Sequence, residues 1–244
     1  MSAGATASAA ASANASVAAS AATAAGVRTV VHLVRHGEVH NPEGVLYGRL
    51  PGFRLSAAGE RQARVACAFL ADPDAKRDIA AIVASPLERA RQTAEPFAEQ
   101  FGLEVGTDAR LIESENVFEG GVVEVGPGIL KHPHLWKHLR NPFRPSWGEE
   151  YDRVAARMLA AVADAADAVT GREVVLVSHQ LPIYITRRAA EQRVLWHRPD
   201  RRQCALASVT SLVFTGTGAD RQLSHVDYVQ PNGPGKVGRG KAGA

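Results

Sequence analysis

Three short runs, residues 29–34, 79–84 and 173–178, are rich in β-branched and apolar side chains, and each gives way to a polar residue. Uninterrupted apolar runs of this length read as strands covered on both faces, and a strand covered on both faces needs helices on either side of its sheet. Between the runs lie segments of helical pattern. Leu55-Ser56 opens a helix to Leu70, with Ser56 as N-cap and Ala63, Ala66, Cys67 and Leu70 on one face. Ser85-Pro86-Leu87-Glu88 reads as a capping box with proline in the first turn, and the helix it starts ends at Gly102. Residues 103–105 suit a short strand. An alanine-rich helix is expected from Trp147 to Val169, and another over 181–190. Residues 207–214 and 223–229 suit a closing strand pair. This alternation predicts an α/β fold, a three-layer sandwich with a mostly parallel central sheet flanked by helices.

Composition bears on the ends of the chain. Residues 1–26 are almost entirely Ala, Ser, Thr and Gly, and residues 231–244 are Gly-rich with Lys236, Arg239 and Lys241. A disordered head, one domain over 27–230 and a flexible basic tail are therefore expected. The formal net charge of +3 resides in that tail, so the basic isoelectric point does not argue for a nucleic-acid partner. No apolar run is long enough to span a membrane. The head lacks the features of a secretory or transit signal, and Cys67 and Cys204 lack metal-binding spacing. A cytoplasmic protein with two reduced thiols is expected.

The chemistry is placed at the strand ends. Arg35-His36-Gly37 and Ser178-His179-Gln180 close two of the runs, and Ser85 closes the third with Arg89 behind it. Parallel strands joined by right-handed crossovers present these ends on one edge, where ligands bind in open α/β sheets. Two guanidiniums there form a receptor for a phosphate dianion. A neutral imidazole can act as nucleophile, and a second, protonated one could stabilise the phosphoryl group in flight. The leaving alkoxide also requires a general acid, for which a carboxyl with a raised pKa is suited.

With LVRHGE at 33–38, LSAAGERQA at 55–63, SPLERARQTA at 85–94 and VSH at 177–179, the chain resembles the histidine phosphatase family, the phosphoglycerate mutase-like group. The resemblance implies that His36 is transiently phosphorylated and that Arg35, Arg89 and His179 form the phosphate pocket. It also implies that an L-x-E element, here Leu111-Ile112-Glu113, carries the acid. Glu113 is favoured and Glu115 is the second choice. Asn41, which stands five residues after the nucleophile where the family often has asparagine six after, is expected to reach the phosphate with Arg49 behind it. The competing role for Asn41-Pro42 is an ordinary turn. Gln180 replaces a common glycine and would keep an amide near the phosphate. Glu149 and Glu150 resemble an element of the family that orients arginine or caps a helix.

Residues 114–148 form an irregular lid that should decide substrate choice, with Phe118, Lys131, His132, His134, Trp136, Lys137, His138, Arg140, Phe143, Arg144 and Trp147 mixing bases and aromatics. The three histidines match no common zinc spacing, and no metal or cofactor is expected. The function expected is metal-independent hydrolysis of a small phosphorylated metabolite through a phosphohistidine. Alternatives are a phosphoglycerate mutase-type isomerase, disfavoured because Gly120-Gly121-Val122 replaces a basic stretch, and a phospholigand-binding module that has lost turnover. Oligomeric state is left open, a homodimer included.

Overall fold

The computed structural model describes residues 26–121 and 148–233. Its centre is one six-stranded sheet built from β1 (Arg28–Arg35), β2 (Ile79–Ala84), β3 (Val105–Thr107), β4 (Glu173–Ser178), β5 (Val209–Thr215) and β6 (Gln222–Val229), ordered β3-β2-β4-β1-β5-β6. The first four in that order are parallel, whereas β5 runs antiparallel to β1 and β6 antiparallel to β5. Among the described residues, four α-helices complete the layers: α1 (Ala57–Leu70), α2 (Glu88–Phe101), α3 (Tyr151–Ala168) and α4 (Gln180–Ala190).

Strand periodicity divides the core in two. Val31, Leu33, Val174 and Leu176 project to the face covered by α3 and α4, where they meet Val154, Met158, Val162 and Ile183. Val34, Ile82, Val175 and Val177 project to the other face, against Ala66, Leu70, Ala94 and Phe97 of α1 and α2. Both faces of β1 and β4 are thus buried, which is why these strands carry apolar residues without alternation. The expected three-layer α/β sandwich is the fold observed.

Several local expectations need correction. The short third strand lies at 105–107 rather than 103–105, beyond the turn that Gly102 makes at φ 65°. The long helix starts at Tyr151, with Glu150 at its N-cap position. The capping box at Ser85 does not form. Leu87 occupies the N-cap position of α2 without a side-chain cap, and the Ser85 hydroxyl meets His179 Nε2 at 2.7 Å while accepting the Leu87 N–H only at 3.4 Å. Cys67 and Cys204 are buried free thiols. No described helix is long and apolar enough to cross a membrane. The expected head and tail outside 26–233, and the stretch 122–147 of the expected lid with its bases and aromatics from Lys131 to Trp147, lie outside the described residues.

Candidate active site

β1, β2 and β4 end side by side: Arg35 is in register with Ser178 and Ala84 with Val177. The chain after Arg35 then turns over the N-terminus of α1 at a distance only glycine allows. A Cβ on Gly37 would meet the Gly59 carbonyl oxygen at 2.4 Å, and one on Gly59 would meet that of Glu38 at 2.0 Å. Hydrogen bonds fix this crossing. Ser56 caps α1 by accepting from the Gly59 N–H and donates its hydroxyl to Glu38. Thr93, one turn after Arg89 on α2, accepts the Gly37 N–H at 3.1 Å. The residues around His36, Gly59 and Arg89 thus form one joint.

His36 is 1% exposed, and its Nδ1 donates to the Gly37 carbonyl at 2.8 Å. That bond assigns the ring's proton to Nδ1 and leaves Nε2 with its lone pair. Burial, followed by the Arg89 and Arg35 charges, holds the imidazole well below its usual pKa, so it is neutral at pH 7. Arg35 is anchored through Nη1 on the Cys204 carbonyl, and Arg89 through Nη2 on that of Gly48, both at 2.6 Å. The Arg89 guanidinium also lies 4.7 Å from the centre of the Tyr47 ring. The His179 ring centre is 5.2 Å from that of His36.

Arg89 Nε and His179 Nδ1 are buried without a partner in the protein. Buried polar atoms are ordinarily satisfied, and polar atoms gathered around a bare nucleophile suit an oxyanion. One expectation changes here. With only the protein's own groups around it, His179 is not protonated, because burial and the neighbouring Arg89 depress its pKa well below the usual value. A dianion in the pocket would oppose that effect.

Glu113 lies at the wall of an adjoining cavity of about 100 Å³, whose lining includes Tyr47, Gly48, Ser114, Tyr151, Gln180 and Arg202. Burial raises its pKa against the opposing pull of the Ser114 N–H and of Arg89, Arg202 and Arg35. Two arginines hold the segment that carries it. Arg49 donates to the Glu113 carbonyl at 2.6 Å, to Glu115 at 2.8 Å and to Glu149 at 3.1 Å. Arg157 grips Glu149 with two nitrogens, at 2.8 and 2.9 Å, and also binds the carbonyls of Arg110 and Ile112. Glu149 is therefore the shared anchor of both guanidiniums, the arginine-orienting role its motif implies.

The four remaining expected residues divide. Glu115 is 70% exposed and paired with Arg49, a poor position for an acid. Asn41 takes the turn role: its amide both donates to and accepts from the Val45 backbone, at 2.8 and 3.0 Å. It is therefore withdrawn from the phosphate-binding set. Arg49 acts as a strut rather than a substrate contact, since its guanidinium is occupied by Glu113, Glu115 and Glu149. Gln180 lines the cavity beside Glu113.

Sequence reasoning missed Tyr47 and Arg202. Tyr47 sits in the loop after the nucleophile with its ring centre 6.4 Å from that of His36. Arg202 lies in the basic stretch Arg198–Arg202, which carries no motif. The segment leading into β5 carries it to the cavity, tied to β1 where the Arg35 N–H donates to the Ser208 carbonyl at 3.1 Å. Among the described residues, no group of three or more His, Cys, Asp or Glu could hold a metal.

The family model of the histidine phosphatase superfamily (branch 1) matches residues 31–226. The uncharacterised protein Rv0525 of Mycobacterium tuberculosis H37Rv is 56% identical over 203 residues, covering 83% of this chain and 96% of that protein. A protein of Yersinia enterocolitica named probable phosphoglycerate mutase GpmB is 34% identical over 160 residues, 63% of this chain and 70% of its own. Among solved structures, the mycobacterial glucosyl-3-phosphoglycerate phosphatase Rv2419c in complex with VO3 superposes with a TM-score of 0.61 at 29% identity. That match covers 84% of this chain and 98% of the other.

Proposed function

The chain belongs to branch 1 of the histidine phosphatase superfamily, and on that premise we propose that it is a metal-independent phosphomonoesterase working through phospho-His36 on a small phosphorylated metabolite. The observation that carries the reading is the bare Nε2 of His36, fixed by the Nδ1–H bond to Gly37 beside the two buried guanidiniums. That nitrogen attacks phosphorus while the bond from phosphorus to the leaving oxygen breaks. Arg35 and Arg89 carry the phosphoryl charge. Glu113, whose burial favours the protonated carboxyl, gives its proton to the departing alkoxide. The resulting carboxylate then takes a proton from water, whose oxygen displaces His36 from phosphorus and releases inorganic phosphate. Each turnover consumes one water and returns both residues to their starting protonation.

The test is hydrolysis of p-nitrophenyl phosphate with EDTA present, by the wild-type protein and by His36→Ala. Turnover in the wild type that is lost in the variant is expected. Turnover surviving in His36→Ala, or absent from both proteins, overturns the proposal.

A further inference from the structure

We propose that Arg202 is a second anion receptor, and that the substrate is a phosphomonoester whose leaving group carries a further anionic group, a carboxylate or a second phosphate. The inference rests on the phosphohistidine reading and deepens it by naming the substrate class.

Charge balance across the site gives the reason. Arg49 and Arg157 are neutralised by Glu149, with Glu115 also on Arg49. Arg35 and Arg89 match the two charges of a phosphate dianion. Arg202 remains. It lines the cavity next to Glu113, and among the described residues it makes no ion pair. Its contacts are neutral: Nε donates to His197 Nε2 at 2.8 Å and Nη1 reaches Gln180 Oε1 at 3.5 Å. Glu113 is close enough to interact with it electrostatically, but a carboxyl that must hold a proton for the leaving group cannot be its standing counter-charge.

The support beneath Arg202 is built for orientation. His197 is 7% exposed, and its Nδ1 donates to the Leu195 carbonyl at 2.8 Å. Its Nε2 is thereby left as the acceptor that receives Arg202. The ring is held between Tyr151 and Tyr184, with centres 5.3 and 4.7 Å away. Its pKa is pushed down to about 4, so it remains an acceptor at neutral pH. A half-buried cation at a cavity wall, aimed by a neutral imidazole and without a counter-charge of its own, is placed to receive an anion. A guanidinium fork matches carboxylate and phosphate oxygens alike.

The experiment compares kcat/KM for ω-carboxyalkyl phosphates, α,ω-alkyl bisphosphates and ω-hydroxyalkyl phosphates of matched chain length. The enzymes are the wild type, Arg202→Gln and Arg202→Lys. The wild type should prefer one charged series over the hydroxyl series by about tenfold or more, and the series preferred identifies the anionic group. Arg202→Gln should bring that ratio close to one, and Arg202→Lys should keep part of it. A wild-type enzyme indifferent to the added charge overturns the proposal without any variant, and so does a preference that survives in Arg202→Gln. Parallel assays with His36→Ala separate the two readings. Turnover there sinks the phosphohistidine mechanism, whereas only the charge preference and its response to Arg202 bear on the receptor.

Discussion

His32 and His36 share one strand and the first step beyond it, and they are 3% and 1% exposed. His32 faces α1 and α2 from mid-strand, and both its nitrogens are used. Nε2 meets Glu173 and Nδ1 meets Ser211, each at 2.8 Å, and Arg28 braces the same carboxylate at 3.0 Å. At the strand end, His36 has one nitrogen held and the other bare, with two cations nearby and no carboxylate bonded to it. Burial alone therefore does not distinguish a structural histidine from a reactive one. The distinction lies in whether the second nitrogen is satisfied and in the sign of the surrounding charge.

Substituting the two residues separately should break the molecule in two different ways. His36→Ala should lower kcat on any phosphomonoester by at least about a thousandfold, as expected when a nucleophile is removed. Its melting temperature should stay close to the wild type's, because the Gly37 carbonyl is the one hydrogen-bond partner described for the ring. Comparable losses of activity in His32→Ala and His36→Ala, measured on equal amounts of folded protein, would erase the distinction.

Glu113→Gln sharpens the same contrast from the other side of the site. Alkyl phosphates, whose leaving groups need a proton, should lose about a hundredfold or more in kcat. p-Nitrophenyl phosphate should lose much less, since nitrophenolate departs unaided. Equal losses on both substrates would place the acid elsewhere.

His32→Ala should act on stability. Glu173 would keep only the exposed Arg28 as partner for a buried carboxylate, at a cost of about 2–4 kcal/mol. Denaturant unfolding would measure it. A change below about 0.5 kcal/mol would show that the His32–Glu173 pair contributes little.

Much of this was legible in the sequence because it is local. The β-branched runs give strands, Gly102 ends α2, Ser56 caps α1, and the residues closing the runs fall on one edge once the strands are parallel. Other features were illegible because they depend on partners distant in sequence. Ser85 looks like a helix cap, but its closest partner is His179, just beyond the end of another strand. Asn41 and Arg49 resemble ligands until Val45, Glu113 and Glu149 are seen to occupy them. Nothing local marks Arg202, whose partner Gln180 lies in another part of the chain. His32 looks like any residue of a strand, and nothing near it in sequence announces Glu173.

The smallest effect tests what the two histidines share. Burial leads the causes that lower the folded-state pKa of each, and His179 behaves in the same way. The unfolded chain therefore binds protons near pH 6.5 that the folded chain refuses, and stability falls as pH drops below about 6.5. Glu173 adds loss of the same sign at lower pH, since its folded pKa lies below the usual carboxylate value and its stabilisation disappears as it protonates. Each buried neutral histidine contributes up to about 1.4 kcal/mol per pH unit in this window. Unfolding free energies measured between pH 7.5 and 5 should therefore decline, and the decline should be shallower in His36→Ala. An unchanged slope in that variant would mean that His36 already takes up its proton in the folded state. It would then not be the neutral nucleophile that its contrast with His32 requires.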